Sequence, residues 1–371
     1  MFYPYVGGAE TQTELLACFM SSRGHEVCIL TRGEGNLRRT EPYKGFVVFR
    51  LWSVGKGVTS ALVFAGSVLF FLLKNTRYFY YCDIFQSNST DIEGISALII
   101  SRILRRKMLL RTRGENQIAQ MNRYFFRRAR FIIISRFAHV LTAQCWLMKK
   151  RFIKLGIPHS KIRVLYNAVD TDYFTPKDAV TDETRCHSTP KRRVIALYVG
   201  NLDLAKGIDV LLKAIPSIVE HQKNFILLVV GSGSRRDELE ETIREHHLED
   251  HVRFLGFRKD VRPYYQMADV LVLPSLREGM SNVLIEAMSS SLPVVATNVG
   301  CTPEVIQSNR NGVTVTAGNS EELATTIINL LNNCSRIRTL SRNARITVRS
   351  KYDIGVIGER YESILYSLTD R

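Results

Sequence analysis

Leu273-Pro-Ser-Leu-Arg-Glu-Gly-Met-Ser-Asn-Val-Leu-Ile-Glu-Ala-Met288 is the stretch that decides the fold of this 371-residue chain. The apolar run Val270–Leu273 leads into it as a buried strand that ends at Pro274. A polar, glycine-containing loop runs on to Met280. A helix then begins near Ser281 or Asn282, both residue types that cap a helix. In open parallel sheets, ligands bind beyond the carboxyl ends of the strands, where such loops and helix N-termini converge. The first N–H groups of this helix and its positive dipole end make a ready site for a diphosphate. Gly279, Met280, Ser281, Asn282 and Val283 carry the backbone of that site. Glu278 lies in the loop and Glu286 in the second helical turn. A carboxylate cannot usefully contact a diphosphate, so these acids point to hydroxyls, Glu286 to a ribose diol and Glu278 to a sugar.

Outward from this stretch, the second half of the chain alternates strand and helix. Val194–Val199 reads as a strand, and apolar residues at Ile208, Leu211, Leu212, Ile215, Ile218 and Val219 keep helical spacing. Phe225–Val230, Val252–Leu255, Val294–Thr297 and Val313–Val315 supply further strands. This grammar predicts a doubly wound α/β domain over 194–350. A second ligand loop, Gly200-Asn-Leu-Asp-Leu-Ala-Lys-Gly207, joins its first strand to its first helix. Lys206 then stands at a helix N-terminus, an unfavourable place for a cation unless an anion shares the site. That marks Lys206 as a phosphate ligand, with Gly200 and Asn201 beside it. Gly231-Ser-Gly233 reads as a turn into a helix, since a lone G-x-G says little.

The first half, 1–176, repeats the alternation with Phe46–Leu51, Cys82–Gln86, Met108–Leu110 and Val140–Ala143 as strands. Here the third loop, Val6-Gly7-Gly8-Ala9-Glu10, turns into a helix closed by Gly24. Gly7 and Gly8 would let backbone approach a phosphate or sugar without Cβ interference. A strand is expected before such a turn, and almost no sequence precedes it, so the first strand of this domain is expected to be missing. Residues 177–193 are polar, proline-flanked and aperiodic, and read as a linker. Residues 351–371 are expected to form a C-terminal helix packing back towards the first domain.

Charge separates the halves sharply. Of the net +16, residues 1–176 carry +15, from 26 Lys and Arg against 11 Asp and Glu. Clusters such as Arg102, Arg105, Arg106 and Lys107, with interleaved aromatic residues at Tyr124, Phe125, Phe126 and Phe131, suit an anionic membrane surface or nucleic acid. No zinc-finger spacing, RNP-like motif or KH loop accompanies them, which disfavours nucleic acid. The longest apolar run, 57–73, is interrupted by Thr59, Ser60, Gly66 and Ser67 and falls short of the about 20 residues a span needs. It reads as a buried or interfacial helix. Seven cysteines without C-x-x-C spacing and eight histidines without ligand spacing propose no metal site. Asp170-Thr-Asp172 reads as structural support rather than a metal-binding D-x-D.

These motifs, in this order, resemble the family-4 retaining glycosyltransferases of the GT-B fold. The resemblance runs from Gly7-Gly8-Ala9-Glu10 and Arg23-Gly24-His25 through Asn167-Ala-Val-Asp170, Lys206-Gly207 and Phe254-Leu-Gly256. It continues through Ala268-Asp269-Val270, Glu278-Gly279, Glu286-Ala-Met288 and Pro303-Glu-Val-Ile306. It implies an α/β chain of two Rossmann-like domains facing a central cleft. It also implies metal-independent transfer of a hexosyl group, with retention, from a nucleotide diphosphate sugar that is a co-substrate rather than a cofactor. Lys206 and Glu278 would carry catalysis, and Gly7 and Gly8 would approach the donor phosphates. Arg113-Gly114 stands where the family has histidine-glycine, giving Arg113 the acceptor-side position. Asn201 stands where the family has an arginine. The acceptor would be a glycan or a lipid-linked molecule in polysaccharide or glycolipid assembly, with the protein peripheral on the cytoplasmic face of a membrane. A nucleotide-sugar-binding protein without catalysis and a sugar-nucleotide epimerase share the fold and stand as alternatives.

Overall fold

The computed structural model describes residues 7–33, 37–53, 58–75, 80–112, 124–177 and 193–369. The chain divides into two compact units, Met1–Ala168 with Ile354–Arg371, and Val169–Asp353. Arg113 and nearly all of the 177–193 segment lie outside the described residues.

In the first unit, helix α1 (Gly8–Ser22) starts from Gly7, and strand β1 (Cys28–Arg32) follows it. β1 pairs in parallel with β3 (Phe46–Leu51), which pairs antiparallel with β2 (Thr40–Tyr43). Parallel strands were expected throughout, and β2 is an addition. Its hairpin turns on Lys44 and Gly45, with φ of 46° and 90°. Two successive positive φ angles match the twist of a two-residue hairpin, but Lys at the first of them gives little sequence signal. Helix α2 (Val58–Lys74) takes up the longest apolar run, and no helix among the described residues is long and apolar enough to cross a membrane.

A separate parallel sheet has the order β4 (Ile84–Ser87), β5 (Lys107–Arg111), β6 (Val140–Ala143), β7 (Ile162–Val164). Its connections run through α3 (Ile92–Ile103), α4 (Phe125–Phe137) and α5 (Trp146–Lys154). The C-terminal helix Ile354–Thr369 belongs to this unit and shares a core with Leu16, Met20 and Leu109. Glu362 of that helix accepts from His25 at 2.8 Å and from Arg23 at 3.4 Å, which holds its carboxyl below the usual range. A polar clasp closes the unit at its last residue before the second. Gln12 donates to the Ala168 carbonyl and accepts from the Ala168 N–H, both at 2.7 Å, so one side-chain amide stands in for a strand partner.

The second unit is one six-stranded parallel sheet, β10-β9-β8-β11-β12-β13. In chain order its elements are β8 (Val194–Val199), α6 (Ile208–His221), β9 (Phe225–Val230), α7 (Arg236–Glu245), β10 (Val252–Gly256) and α8 (Arg262–Met267). Then come β11 (Val270–Leu273), α9 (Asn282–Ser289), β12 (Val294–Thr297), α10 (Thr302–Val305), β13 (Val313–Val315), α11 (Ser320–Leu331) and α12 (Cys334–Lys351). Every residue of β9 and β11 is buried, as a sheet covered on both faces requires. Asp269, 1% exposed, accepts from the Ile195 N–H at 2.8 Å while its own N–H donates to the Ile195 carbonyl. That reciprocal bond sets the register of β11 on β8. The chain winds one way through β8, β9 and β10, then returns to lay β11 on the other side of β8. Between β8 and β11 therefore lies the switch point at which open α/β sheets bind ligands.

Candidate functional site

The loops after β8 and after β11 flank that switch point, and they are bonded to each other. The Ala205 carbonyl accepts from the N–H groups of Leu276 at 2.9 Å and Arg277 at 3.1 Å. Gly207, with φ of 63°, lies so close to the second loop that a Cβ there would meet the Pro274 carbonyl oxygen at 2.1 Å. No side chain can be inserted without parting the two strands of backbone. A third loop leans on the first: a Cβ on Gly231 would fall 1.8 Å from the Gly200 carbonyl oxygen. The loop after β9 is thereby joined to the loop after β8. Leu202 N–H bonds to Ser232 at 3.0 Å across the same junction.

The first loop is shaped by its own polar groups. Asp203 caps a single 3₁₀ turn, Leu204–Lys206, by accepting from the Lys206 N–H at 3.1 Å. Tyr198, buried at the end of β8, donates to the Asn201 carbonyl at 2.8 Å, and burial pushes its phenol far above the ordinary value. The backbone at Asn201 is thus fixed while its side chain is exposed.

Helix α9 begins at Asn282 with Ser281 as its cap, accepting from the Leu284 N–H at 3.4 Å. The expected start at Ser281 or Asn282 agrees. The loop Gly279–Met280 that precedes it is held from behind by Cys301, whose N–H donates to the Gly279 carbonyl at 3.1 Å. Ser281, Asn282 and Val283 therefore stand at the cap and first turn of the helix, where free amides can meet an anion.

The joined loops bring Lys206 and Glu278 together. The Lys206 ammonium donates to Glu278 Oε2 at 2.6 Å, with side chains 27% and 15% exposed, and Ser275 Oγ reaches the same carboxylate oxygen at 3.3 Å. Sequence reasoning gave the two residues separate tasks, the lysine on phosphate and the glutamate on sugar. The structure pairs them. A lysine ammonium has three donors, so it can keep Glu278 and still offer N–H groups to a second anion.

Glu286 sits deeper. It accepts from the Tyr265 hydroxyl at 2.8 Å through Oε2 alone. Burial raises its pKa from 4.5 to about 7, and the bond from Tyr265 offsets only part of that. Tyr265 is itself fully buried on α8, edge-on to Phe174 at 5.9 Å. The sequence reading missed this tyrosine, which holds the Glu286 carboxyl in place. A signal was present in Arg262-Pro-Tyr-Tyr-Gln-Met267, where one of two adjacent tyrosines must face inward on a helix leading to a buried strand.

Asp170 and Asp172 form a turn: Asp170 Oδ1 accepts from the N–H groups of Asp172 at 3.0 Å and Tyr173 at 2.9 Å. Among the described residues no group of three or more His, Cys, Asp or Glu is placed to hold a metal ion. Gly7 and Gly8 lie in the first unit, where Gly7 is the extended N-cap of α1.

Two family models match this chain along its two halves: Glycosyltransferase Family 4 over residues 6–173 and Glycosyl transferases group 1 over 193–333. The chain belongs to the family-4 glycosyltransferases, with two Rossmann-like domains of the GT-B fold. An uncharacterized glycosyltransferase of Methanocaldococcus jannaschii is 32% identical over 200 residues, covering 53% of this chain and 51% of that protein. The N-acetyl-alpha-D-glucosaminyl L-malate synthase of Bacillus anthracis is 28% identical over 229 residues, covering 62% of this chain and 60% of that one. The chain thus spans between half and two thirds of the length of these relatives. The crystal structure of Anabaena HepE in complex with UDP superposes with a TM-score of 0.81 at 21% identity, covering 98% of this chain and 97% of that one. At that identity the likeness speaks for the fold.

Proposed function

We propose that the protein transfers a hexosyl group, with retention of configuration and without a metal ion, from a UDP- or GDP-linked sugar to a glycan or lipid-linked acceptor. The work would take place in polysaccharide or glycolipid assembly, at the cytoplasmic face of a membrane. The observation that carries this reading is the bonded pair of loops at the switch point. They bring the Lys206 ammonium to Glu278, three residues before the Ser281 cap of α9, and a lysine and a helix N-terminus both favour the negative charge a departing nucleoside diphosphate acquires. In the step proposed, the bond from the anomeric carbon to the donor phosphate oxygen breaks, and its electron pair leaves with the nucleoside diphosphate. The acceptor oxygen bonds the same face of the sugar, and the acceptor's proton passes to a donor phosphate oxygen. No side-chain nucleophile is needed. Glu278 and Glu286 would hold sugar and ribose hydroxyls, and Gly7 and Gly8 would approach the donor from the first domain.

Incubation with a panel of nucleotide sugars and a glycan or lipid-linked acceptor tests this, with nucleotide release and glycoside product as readouts. Lys206→Ala and Glu286→Ala are each expected to abolish transfer. Full turnover in both variants, or nucleotide binding without any glycoside product from the native chain, would refute it.

A further inference from the structure

We infer that the outer face of α3 and α4 is a docking surface for an anionic lipid bilayer, a step that rests on reading the protein as a transferase working at a membrane. Between residues 94 and 169 the chain carries seventeen Lys and Arg and a single acid, Glu115. All of α4 and the latter part of α3 fall inside this nearly acid-free span. On α4, Phe131 and Ile134 are fully buried, Phe131 with its ring centre 5.2 Å from that of Phe152 on α5. The opposite side of the same helix presents Phe126, 84% exposed, together with exposed Ile133 and Phe137. Their spacing of seven and four residues puts them on one stripe. α3 continues the stripe with exposed Ile99 and with Ile103, 70% exposed. The two helices are fastened at this end: Arg102 of α3 donates to the Phe137 carbonyl at 2.8 Å, and its guanidinium lies 5.9 Å from that ring's centre.

An apolar stripe edged by arginines on two joined helices is the pattern of a protein that lies in a bilayer interface, rings among the acyl chains and guanidinium groups at the phosphates. Each basic side chain near an anionic surface contributes about 1 kcal/mol. Nucleic acid would satisfy the arginines equally but would give nothing to Ile99, Ile103 and Ile133, which have no polar atom to offer and no base to stack on. Charge selects the anionic partner, and the isoleucines select the lipid.

The test sediments the full chain with phosphatidylcholine vesicles, with and without phosphatidylglycerol. Binding is expected to the anionic vesicles alone, weakening as salt rises. Two double variants, Phe126→Glu with Ile133→Glu and Arg102→Glu with Arg136→Glu, are each expected to weaken it about tenfold or more. All four side chains are exposed, and the thermal shift produced by UDP or GDP is expected to stay as in the native chain. That retained shift shows that a variant which no longer sediments is still folded. No sedimentation of the native chain, equal sedimentation with neutral vesicles, or unchanged binding by both variants would overturn the assignment. Tight binding of a single-stranded RNA in place of vesicles, abolished by the arginine pair and untouched by the apolar pair, would overturn it in favour of nucleic acid. If vesicle binding holds while neither nucleotide shifts the melting curve, the surface stands and the transferase reading falls.

Discussion

Replacing Glu278 by Gln should tighten the binding of a nucleoside diphosphate while lowering sugar transfer. The Lys206 ammonium donates to Glu278 at 2.6 Å. A diphosphate arriving at the same ammonium meets both the competing bond and the carboxylate's charge. With both side chains mostly buried, the competing bond is worth about 1.5–3 kcal/mol, the range for hydrogen bonds to charged groups. Glutamine keeps the shape and removes the charge; its amide oxygen can still accept from the ammonium, but as a neutral partner in a weaker bond. The dissociation constant for UDP or GDP should therefore fall roughly 5- to 10-fold, the difference of about 1–1.5 kcal/mol between a hydrogen bond to a charged acceptor and one to a neutral acceptor. Transfer should drop because the carboxylate that orders the sugar hydroxyls is gone. Isothermal titration with UDP and GDP, run on Glu278→Gln, Lys206→Ala and the double variant, separates the two effects. Lys206→Ala should weaken binding, and the double variant should recover only the part that comes from removing the carboxylate's own charge, since the competing bond is already gone. Unchanged or weaker nucleotide binding by Glu278→Gln would refute the competition.

Glu286 ties stability to pH. Its folded-state pKa of about 7 lies above the ordinary 4.5, so the folded chain holds the proton more tightly than the unfolded one. The stabilisation is complete below about pH 4.5 and is lost as pH rises through about 7, roughly 3 kcal/mol in all. Urea midpoints at pH 5 and pH 8 should show this loss in the native chain and a flatter profile in Glu286→Gln; identical profiles would count against it. Tyr265→Phe removes the one bond that lowers the Glu286 pKa, so the pH dependence of donor KM should move upwards, with KM at neutral pH rising about 5- to 10-fold and kcat changing less. A uniform loss of activity at every pH would indicate general damage instead. Gly207→Ala forces a Cβ against the Pro274 carbonyl at a positive φ. It should cost about 1–3 kcal/mol in calorimetry and remove nucleotide binding. A wild-type melting curve would show that the loops are not locked together there.

The second unit was readable from its residues because local rules and tertiary needs agree there. Val270–Leu273, Ser281 and the Ile208–Val219 spacing each announce an element that the sheet then uses. The pairing of Lys206 with Glu278 was not readable, because it depends on backbone bonds from Ala205 to Leu276 and Arg277, groups that every sequence possesses. Nothing in the residue types separates a lysine waiting for phosphate from one already held by a carboxylate. Tyr265 escaped for a related reason, since its role arises from a buried partner 21 positions away. In the first unit, β2 was missed because its hairpin turns on a lysine in the left-handed region, where glycine or asparagine would have given the turn away.

The contacts of Gly207 with Pro274 and of Gly231 with Gly200 are made by main chain alone, with no room for an intervening atom. Lengthening or shortening any one of these loops would drag its neighbours along, so the joined loops resist remodelling by insertion or deletion. If the donor binds at these loops as proposed, a change of donor preference would come from what projects outward, such as the exposed side chains of Asn201, Phe257 and Arg258. An engineer seeking a different nucleotide sugar should diversify those three positions and leave every loop at its present length.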